Sequence, residues 1–157
     1  MSKTITIYTD GSCNNTGDKR GGWGAVMIFN GQEIKLSGRE DNTTNNRMEM
    51  KGILDALKRL TKSKLKVDEV LIYSDSKYAI SIFDGTNRAS KNRDLLQEFH
   101  NYKLALIERG TQIRFQWVKG HAGDKYNEMA DQLANCNTII TSEVKCPVTT
   151  TSITPSS

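Results

Sequence analysis

The chain has 157 residues, 36% hydrophobic and 25% charged, which predicts one globular domain. Its sequence contains no apolar run of the roughly 20 residues that a membrane-spanning helix needs. The N-terminal stretch MSKTITIYTD lacks the apolar segment of a secretory signal, and three scattered cysteines form neither a disulfide framework nor a zinc motif, so we expect a cytoplasmic protein. The formal net charge of +4 is compatible with a polyanionic partner.

The first forty residues predict an antiparallel meander of three strands. Apolar and polar residues alternate over residues 4–9, and the segments GGWGAVMIFNG and QEIKLSGR have the composition of strands. Asn30-Gly31 joins the second strand to the third, and this dipeptide is typical of a two-residue hairpin turn. The first strand runs directly into Asp10, and an uncompensated carboxylate within a sheet is costly.

Beyond the meander, the pattern predicts helices and two further strands. Apolar residues recur at helical spacing from Met48 to Leu60, which predicts a helix over about 45–61. The segment DEVLIYSD is apolar enough for a strand buried on both faces. There follow a short helix at SKYAISIF, a helix over about 93–108 that Gly110 ends, a strand at QIRFQWVKG and a helix at NEMADQLANC. The order βββαβααβα implies a right-handed parallel crossover between strands four and five.

The last part of the chain differs in composition. Residues 138–157 are rich in Thr and Ser, contain both prolines and show no period. We expect a disordered tail there, with an edge strand at TIITSEVK as the alternative. Residues 1–137 then form the folded domain.

Four acidic residues come from four separate segments of the predicted domain. Asp10 lies late in the first strand, Asp75 ends the fourth, Glu49 lies near the start of the first long helix, and Asp131 lies on the last helix. Functional groups of open α/β sheets collect at strand ends, so these acids could converge. Clustered carboxylates repel one another, and hard divalent cations such as Mg²⁺ or Mn²⁺ relieve that repulsion.

Each acid also has a local explanation. Asp10 could start a turn, Asn46 and Glu49 fit a capping box, Asp75-Ser76 could cap the short helix, and Asp131 could be a solvated charge. The metal hypothesis therefore depends on the joint pattern of the four acids.

That joint pattern resembles ribonuclease H of type 1. The matching blocks are YTDGSC at 8–13, TTNNRMEM at 43–50, YSDSKY at 73–78, and WVKGHAG at 117–123 followed by NEMADQLA at 127–134. The resemblance covers roughly residues 3–137. It implies an α/β fold with a five-stranded mixed sheet of strand order 3-2-1-4-5, helices on both faces, and a catalytic domain over residues 1–137. It also implies that the enzyme hydrolyses the RNA strand of RNA–DNA hybrids.

The resemblance further implies a site. Its metal-binding carboxylates fall on Asp10, Glu49, Asp75 and Asp131, which would hold two ions, Mg²⁺ or Mn²⁺, and its mobile histidine falls on His121. Two such ions would activate a water and stabilise the leaving oxygen, giving 5′-phosphate and 3′-hydroxyl ends.

Substrate contacts are implied at short polar residues, because telling RNA from DNA requires contact with the 2′-hydroxyl group. Asn45 and Asn46 match positions that read the minor groove, and Thr44 matches a phosphate contact on the DNA strand. The resemblance implies a third RNA contact at Asn14 or Asn15, and because the first loop is one residue longer than is usual in the family, it does not choose between the two. Lys77, where many relatives carry glutamine, is a candidate phosphate contact, and we expect a monomer to bind the hybrid.

The chain departs from many relatives between its second and third helices. The segment DGTNRASKN replaces a basic, Trp-containing helical insertion, which resembles the handle-less subgroup and predicts weaker hybrid binding or greater reliance on Mn²⁺ or a partner domain. Trp23 and Trp117 lie within strands and are expected to be core or half-buried. The alternatives to a ribonuclease H are a DNA nuclease of the wider superfamily and an inactive hybrid-binding domain.

Overall fold

The computed structural model describes residues 3–14, 19–119 and 125–136, and these form a mixed sheet with four helices. The strands are β1 Thr4–Cys13, β2 Gly21–Phe29, β3 Gln32–Glu40, β4 Glu69–Ser74 and β5 Gln112–Trp117, and the helices are α1 Asn45–Lys62, α2 Lys77–Asp84, α3 Arg93–Glu108 and α4 Lys125–Cys136. The sheet order is β3-β2-β1-β4-β5. The predicted element order and strand order are confirmed.

Strand β1 is central and joins the two kinds of pairing. It pairs antiparallel with β2, which pairs antiparallel with β3, and it pairs parallel with β4, which pairs parallel with β5. The alternating pattern of the sequence stops at Thr9, but the ladder continues through Asp10↔Gly24 to Cys13↔Gly21. Strand β1 is therefore longer than predicted, because the backbone pairing with β2 continues where the apolar pattern does not.

The two faces of the sheet carry cores of different size. One face packs against α1, α2 and α3, and its core includes Ile5, Ile7, Leu57, Ile72 and Phe99. The other face packs against α4 through a smaller cluster of Val26, Ala130 and Leu133. Strand β4 alternates between fully and partly buried residues, because α4 covers its own face of the sheet less completely. This is a difference from the strand buried on both faces that the sequence predicts.

The helix ends follow local chemistry. The side chain of Thr44 is the N-cap of α1 and accepts from the backbone nitrogen of Arg47. The capping box proposed for Asn46 and Glu49 is therefore not the one that starts α1, and Glu49 is available to the site. Ser76, as expected, caps α2 by accepting from the nitrogen of Ala79. Gly110, with φ of 85°, follows the end of α3.

The connection between α2 and α3 spans residues 85–92 and contains no helix, as the segment DGTNRASKN predicts. The predicted tail at 138–157, and its alternative as an edge strand, lie outside the described residues. Within the described part of the chain, every helix is too short or too polar to span a bilayer.

Candidate active site

Asp10 lies in the middle of the sheet because β1 continues past it. Residues alternate between the faces of a strand, so Ile5, Ile7 and Thr9, all buried, point towards α1, while Asp10 shares the α4 face with Tyr8. The backbone N–H of Gly11 donates to Asp10 Oδ1 at 2.9 Å. The local reading of Asp10 as the start of a turn is wrong, since the strand extends three residues further.

Glu49 reaches the same point because α1 passes unusually close to β1. A Cβ atom at Gly11 would clash with the carbonyl carbon of Met48 and the backbone nitrogen of Glu49. Only glycine at position 11 permits this approach without displacement of α1. The first turns of α1 therefore lie against the end of β1, and the Glu49 carboxylate is placed beside Asp10.

Asp75 follows the strand that pairs parallel with β1. The register places Tyr8 opposite Tyr73, so the residues two positions further along, Asp10 within β1 and Asp75 just past the end of β4, lie beside each other. Asp10, Glu49 and Asp75 each offer a carboxylate oxygen, and these oxygens lie within 4.8 Å of one another. We refer to these three residues as the acid cluster.

Asp131 lies next to the acid cluster on α4. Helix α4 approaches β2 at Gly24, where a Cβ atom would clash with the carbonyl oxygen of Ala130 and with Leu133. The Asp131 carboxyl group lies against Asp10 and contributes to its electrostatics. The carboxyl group of Asp131 also accepts a hydrogen bond: Asn135 Nδ2 donates to Asp131 Oδ1 at 3.1 Å. Asp131 is therefore held at the border of the cluster.

The electrostatics of the metal-free cluster are unfavourable for charge. Burial, the adjacent Asp131 carboxyl group and the charge of Asp75 raise the pKa of Asp10 from 3.8 to about 8. Burial and the charges of Asp10 and Asp75 raise the pKa of Glu49 from 4.5 to about 10. Desolvation and like charge both disfavour the ionised form. Among the described residues, no lysine or arginine offsets the charges of Asp10 and Glu49.

Two oxygen atoms of the cluster indicate what would fill it. Glu49 Oε1 and Asp75 Oδ1 are buried and have no hydrogen-bond partner among the described residues. Buried polar atoms are nearly always satisfied, so these two oxygen atoms are suited to bind a cation or to accept a hydrogen bond from a ligand. Carboxylates alone, without nitrogen or sulfur ligands, favour Mg²⁺ or Mn²⁺. The donor set therefore fits a hard divalent cation.

The predicted substrate-binding residues that the structure describes lie in three places: the start of α1, the start of α2 and the end of β1. Thr44, Asn45 and Asn46 lie at the start of α1, and both asparagines are exposed. Lys77 is exposed at the start of α2, two residues after Asp75. Asn14 is exposed just after β1, and its backbone nitrogen donates to the carbonyl of Arg20 at 2.8 Å. Asn15 and His121 lie outside the described residues.

Sequence reasoning missed two residues that support the site. Asn135 donates to Asp131 and accepts from Ser12 Oγ at 3.1 Å, which ties α4 to the end of β1. Its spacing of four residues from Asp131 on a helix was the available signal. Trp117 donates from Nε1 to the carbonyl of Asp75 at 3.0 Å. It is 41% exposed, contrary to the expected core or half-buried position, because β5 is the edge strand of the sheet.

The fold and the site together define a class of protein. Half-buried carboxylates that meet near the ends of the central parallel strands of a mixed α/β sheet are the kind of ligand set that metal-dependent phosphodiester hydrolases use.

Comparison with known proteins gives the particular family. The family model described as RNase H matches residues 2–138. The chain is 39% identical over 145 residues to the ribonuclease H of Thermoanaerobacter sp. (strain X514), covering 83% of this chain and 86% of that protein. It is 40% identical over 148 residues to the ribonuclease H of Chlorobaculum parvum, covering 85% and 94%. The chain belongs to the ribonuclease H family, and its activity is that of an endoribonuclease.

Solved structures agree with this assignment. The fold matches LC11 RNase H1 in complex with an RNA/DNA hybrid with a TM-score of 0.67 at 26% identity, covering 83% of this chain and 94% of that one. It matches the N-terminal RNase H domain of a Mycobacterium tuberculosis protein with a TM-score of 0.65 at 26% identity, covering 85% and 92%.

Proposed function

We propose that the protein hydrolyses the RNA strand of RNA–DNA hybrids with two divalent cations, leaving 5′-phosphate and 3′-hydroxyl ends. The observation that carries this proposal is the acid cluster, in which Glu49 Oε1 and Asp75 Oδ1 are buried without a partner among the described residues. Such a cluster is stable in its ionised form only when positive charge from outside the described part of the chain enters it.

Each residue of the site has a proposed role that follows from its position. Asp10, Glu49 and Asp75 would hold two ions, Mg²⁺ or Mn²⁺, through carboxylate oxygens, with Asp131 completing the set beside Asp10. When bound, such ions lower the pKa of an attacking water and stabilise a departing oxyanion. Gly11 and Asn135 keep Asp10 and Asp131 oriented. His121 would move a proton during product departure.

Hybrid recognition is assigned to the exposed polar residues around the cluster. Asn45 and Asn46 would read the RNA minor groove and its 2′-hydroxyl groups, together with Asn14 or Asn15. Thr44 would contact a phosphate of the DNA strand, and its hydroxyl proton is free for that contact while its oxygen caps α1. The hybrid bound to LC11 RNase H1, a structural neighbour, supports this class of substrate.

We further propose the setting in which the enzyme works. Residues 1–137 would form the catalytic domain, with 138–157 as a tail that the chemistry does not use. The protein would act as a monomer in the cytoplasm. The short connection over 85–92, which lacks a basic helix, supports weaker hybrid binding than in relatives with that helix, or greater reliance on Mn²⁺ or a partner domain.

The decisive experiment compares three substrates and one pair of matched variants. Labelled RNA–DNA hybrid, duplex DNA and duplex RNA are incubated with the protein, with Mg²⁺ and with EDTA. We expect cleavage of the hybrid only, in the RNA strand, and only with the cation. Asp10→Asn should abolish cleavage, because Asp10 is the cluster residue that adjoins both Asp75 and Asp131 and would share in holding the cations. The protein should stay folded, because asparagine keeps the size of the side chain and removes only its charge.

The matched control is Asp68→Asn. Asp68 is exposed and precedes β4, at the opposite end of that strand from Asp75, so the same chemical change should leave cleavage intact. Cleavage retained by Asp10→Asn would refute the assignment of the acid cluster. Cleavage of duplex DNA would favour the alternative nuclease, and hybrid binding without cleavage by the wild type would favour the inactive domain.

A further inference from the structure

The surface beside the acid cluster contains an exposed tryptophan that the proposed mechanism does not use. Trp117 is the last residue of β5, and 41% of it is accessible to solvent. Its Nε1 donates to the carbonyl oxygen of Asp75 at 3.0 Å, so the ring is hydrogen-bonded to the backbone of a residue of the acid cluster. The register of β4 and β5 places Trp117 opposite Ser74, directly before Asp75. The ring therefore lies at the edge of the sheet where the acids converge.

Lys77 lies on this ring. Its Nζ is 4.5 Å from the centroid of the Trp117 ring, which is the geometry of a cation–π contact. Lys77 is exposed, and no carboxylate of residues 3–14, 19–119 and 125–136 forms an ion pair with it. A lysine side chain in water samples many rotamers, and an aromatic partner restricts that freedom. The ammonium group is thus held near the acid cluster with its charge available.

The charge of this ammonium group suits one partner. The acid cluster would receive a phosphodiester together with its cations, and the next phosphates along the same strand then lie on either side of the cluster. Lys77 is two residues after Asp75 and is directed by Trp117, so it offers a fixed positive charge on the β5 side. Lysine binds phosphate as a point charge, without the planar geometry that arginine requires.

We propose that Trp117 is a positioning residue for substrate binding, which holds Lys77 so that its ammonium group contacts a backbone phosphate of the RNA strand next to the cleaved bond. This inference rests on the proposed function, because it names a determinant of hybrid binding by that same site. It adds a role for Trp117 beyond packing, since 41% of the residue is exposed and Lys77 lies over its ring.

The test is a double-mutant cycle on hybrid affinity. Lys77→Gln, Trp117→Leu and the double variant are made in an Asp10→Asn background, which binds hybrid without cleaving it, and dissociation constants are measured by fluorescence anisotropy over a series of KCl concentrations. Each single change should weaken binding about fivefold and reduce the slope of log K against log [salt] by about 1, as expected for one lost phosphate contact. The double variant should be no weaker than either single variant.

Two conservative variants distinguish positioning from packing. Trp117→Phe keeps a ring beneath the ammonium group but loses the N–H donor, so it should weaken binding less than Trp117→Leu and keep most of the salt dependence. Lys77→Arg keeps the charge and stacks well, so it should bind close to the wild type. Lys64→Gln, an exposed lysine between α1 and β4 at the opposite end of that strand, is the matched charge control and should change the slope by less than half as much.

The outcomes separate this inference from the proposed function. If the effects of Lys77→Gln and Trp117→Leu multiply, or Trp117→Leu leaves the salt slope unchanged, Trp117 does not act through Lys77 and the inference is overturned. If Trp117→Leu does not fold, as judged by its melting curve, the cycle is run with Trp117→Phe, whose weaker ring contact should matter only when Lys77 is present. The proposed function fails instead if the wild type does not cleave hybrid at all.

Discussion

Two groups of charges at opposite sides of α1 show how differently one fold can treat carboxylates. The acid cluster of Asp10, Glu49 and Asp75 has no cation among the described residues, and its pKa values are raised. A second group, the arginine cluster, consists of Glu40, Arg47, Lys51 and Asp94. Both groups join α1 to neighbouring elements, and both bring together residues distant in sequence.

The arginine cluster supplies its own positive charge. Arg47 donates to both oxygens of Asp94 at 3.1 and 2.9 Å and lies 3.5 Å from Glu40, which Lys51 contacts at 2.8 Å. Burial alone would raise the pKa of Glu40, but Lys51 and Arg47 hold it below its usual value. The hydrogen bonds from Arg47 likewise lower the pKa of Asp94.

The difference shows which group is built for structure and which for chemistry. Charges that are paired within the chain stabilise the contact between β3, α1 and α3 in every state of the protein. Carboxyl groups without a cation, as in the acid cluster, lower the free energy of unfolding of the metal-free protein. A cation that binds them removes this cost, which favours its binding. Removing a charge should therefore have opposite effects on stability in the two groups.

The largest expected effect comes from the acid cluster. Glu49→Gln should lower hybrid cleavage at least about 100-fold, because it removes one cation ligand. The same change should raise the free energy of unfolding of the metal-free protein by at least about 1 kcal/mol near pH 8, because Glu49 must take up a proton on folding at that pH and glutamine does not. Cleavage rates and urea unfolding measured on one preparation check both effects.

Glu108→Gln provides the control for this change. Glu108 is exposed at the end of α3, so the substitution should leave both cleavage and stability unchanged. Loss of stability in Glu49→Gln would mean that the cluster is already compensated without added metal, which would remove the contrast with the arginine cluster.

A smaller effect is expected in the arginine cluster. Arg47→Met should lower the free energy of unfolding by about 2 kcal/mol, because Glu40 remains half-buried and Asp94 loses its bidentate partner. Its cleavage rate should fall far less than that of Glu49→Gln, since Arg47 contacts no residue of the acid cluster. Thermal melting and cleavage assays at matched protein concentration measure the two quantities.

Lys51→Met is the matched change in the same cluster. It leaves Arg47 beside Glu40, so the expected loss is below about 1 kcal/mol. Equal losses in Arg47→Met and Lys51→Met would show that the two cations are interchangeable and that the contact with Asp94 contributes nothing.

The smallest expected effect, per unit of pH, is the pH dependence of stability. Asp10, whose pKa is about 8 in the folded metal-free protein against 3.8 when unfolded, binds a proton that the unfolded chain has lost between those values. Stability from this group is present below the lower pKa and is lost as the pH rises through the higher one. Relative to Asp10→Asn, the wild type should lose about 1.4 kcal/mol for each pH unit between about pH 5 and pH 8.

Metal should cancel this loss. A cation that binds only the folded state and its ionised carboxylates stabilises the protein most at the higher pH. Denaturation curves with EDTA and with Mg²⁺ at both pH values make the comparison. A wild type that parallels Asp10→Asn at every pH in EDTA would contradict the raised pKa.

The sequence predicted more of the fold than of the interactions. Periodicity gave the element order, and Gly110 and Ser76 were identified where α3 ends and α2 begins. The strand order came from the resemblance, because period-two patterns specify which residues face a core but not which strands are neighbours. The end of β1 was placed too early, since backbone pairing with β2 carries no side-chain signal.

The candidate site divides in the same way. The sequence by itself singled out the four acids as candidates, and the resemblance added the polar residues at the start of α1, because these lie in short contiguous blocks whose residue types are chemically restrictive. Only the tertiary structure decided that Gly11 lets Glu49 approach Asp10, that Asn135 holds Asp131, and that Arg47 pairs with Asp94. These contacts join residues up to 123 positions apart, as Ser12 and Asn135 are, and a local pattern contains no information on such distances. The exposure of Trp117 was likewise decided by the position of β5 at the edge of the sheet, where one side of the strand has no neighbouring strand among the described residues.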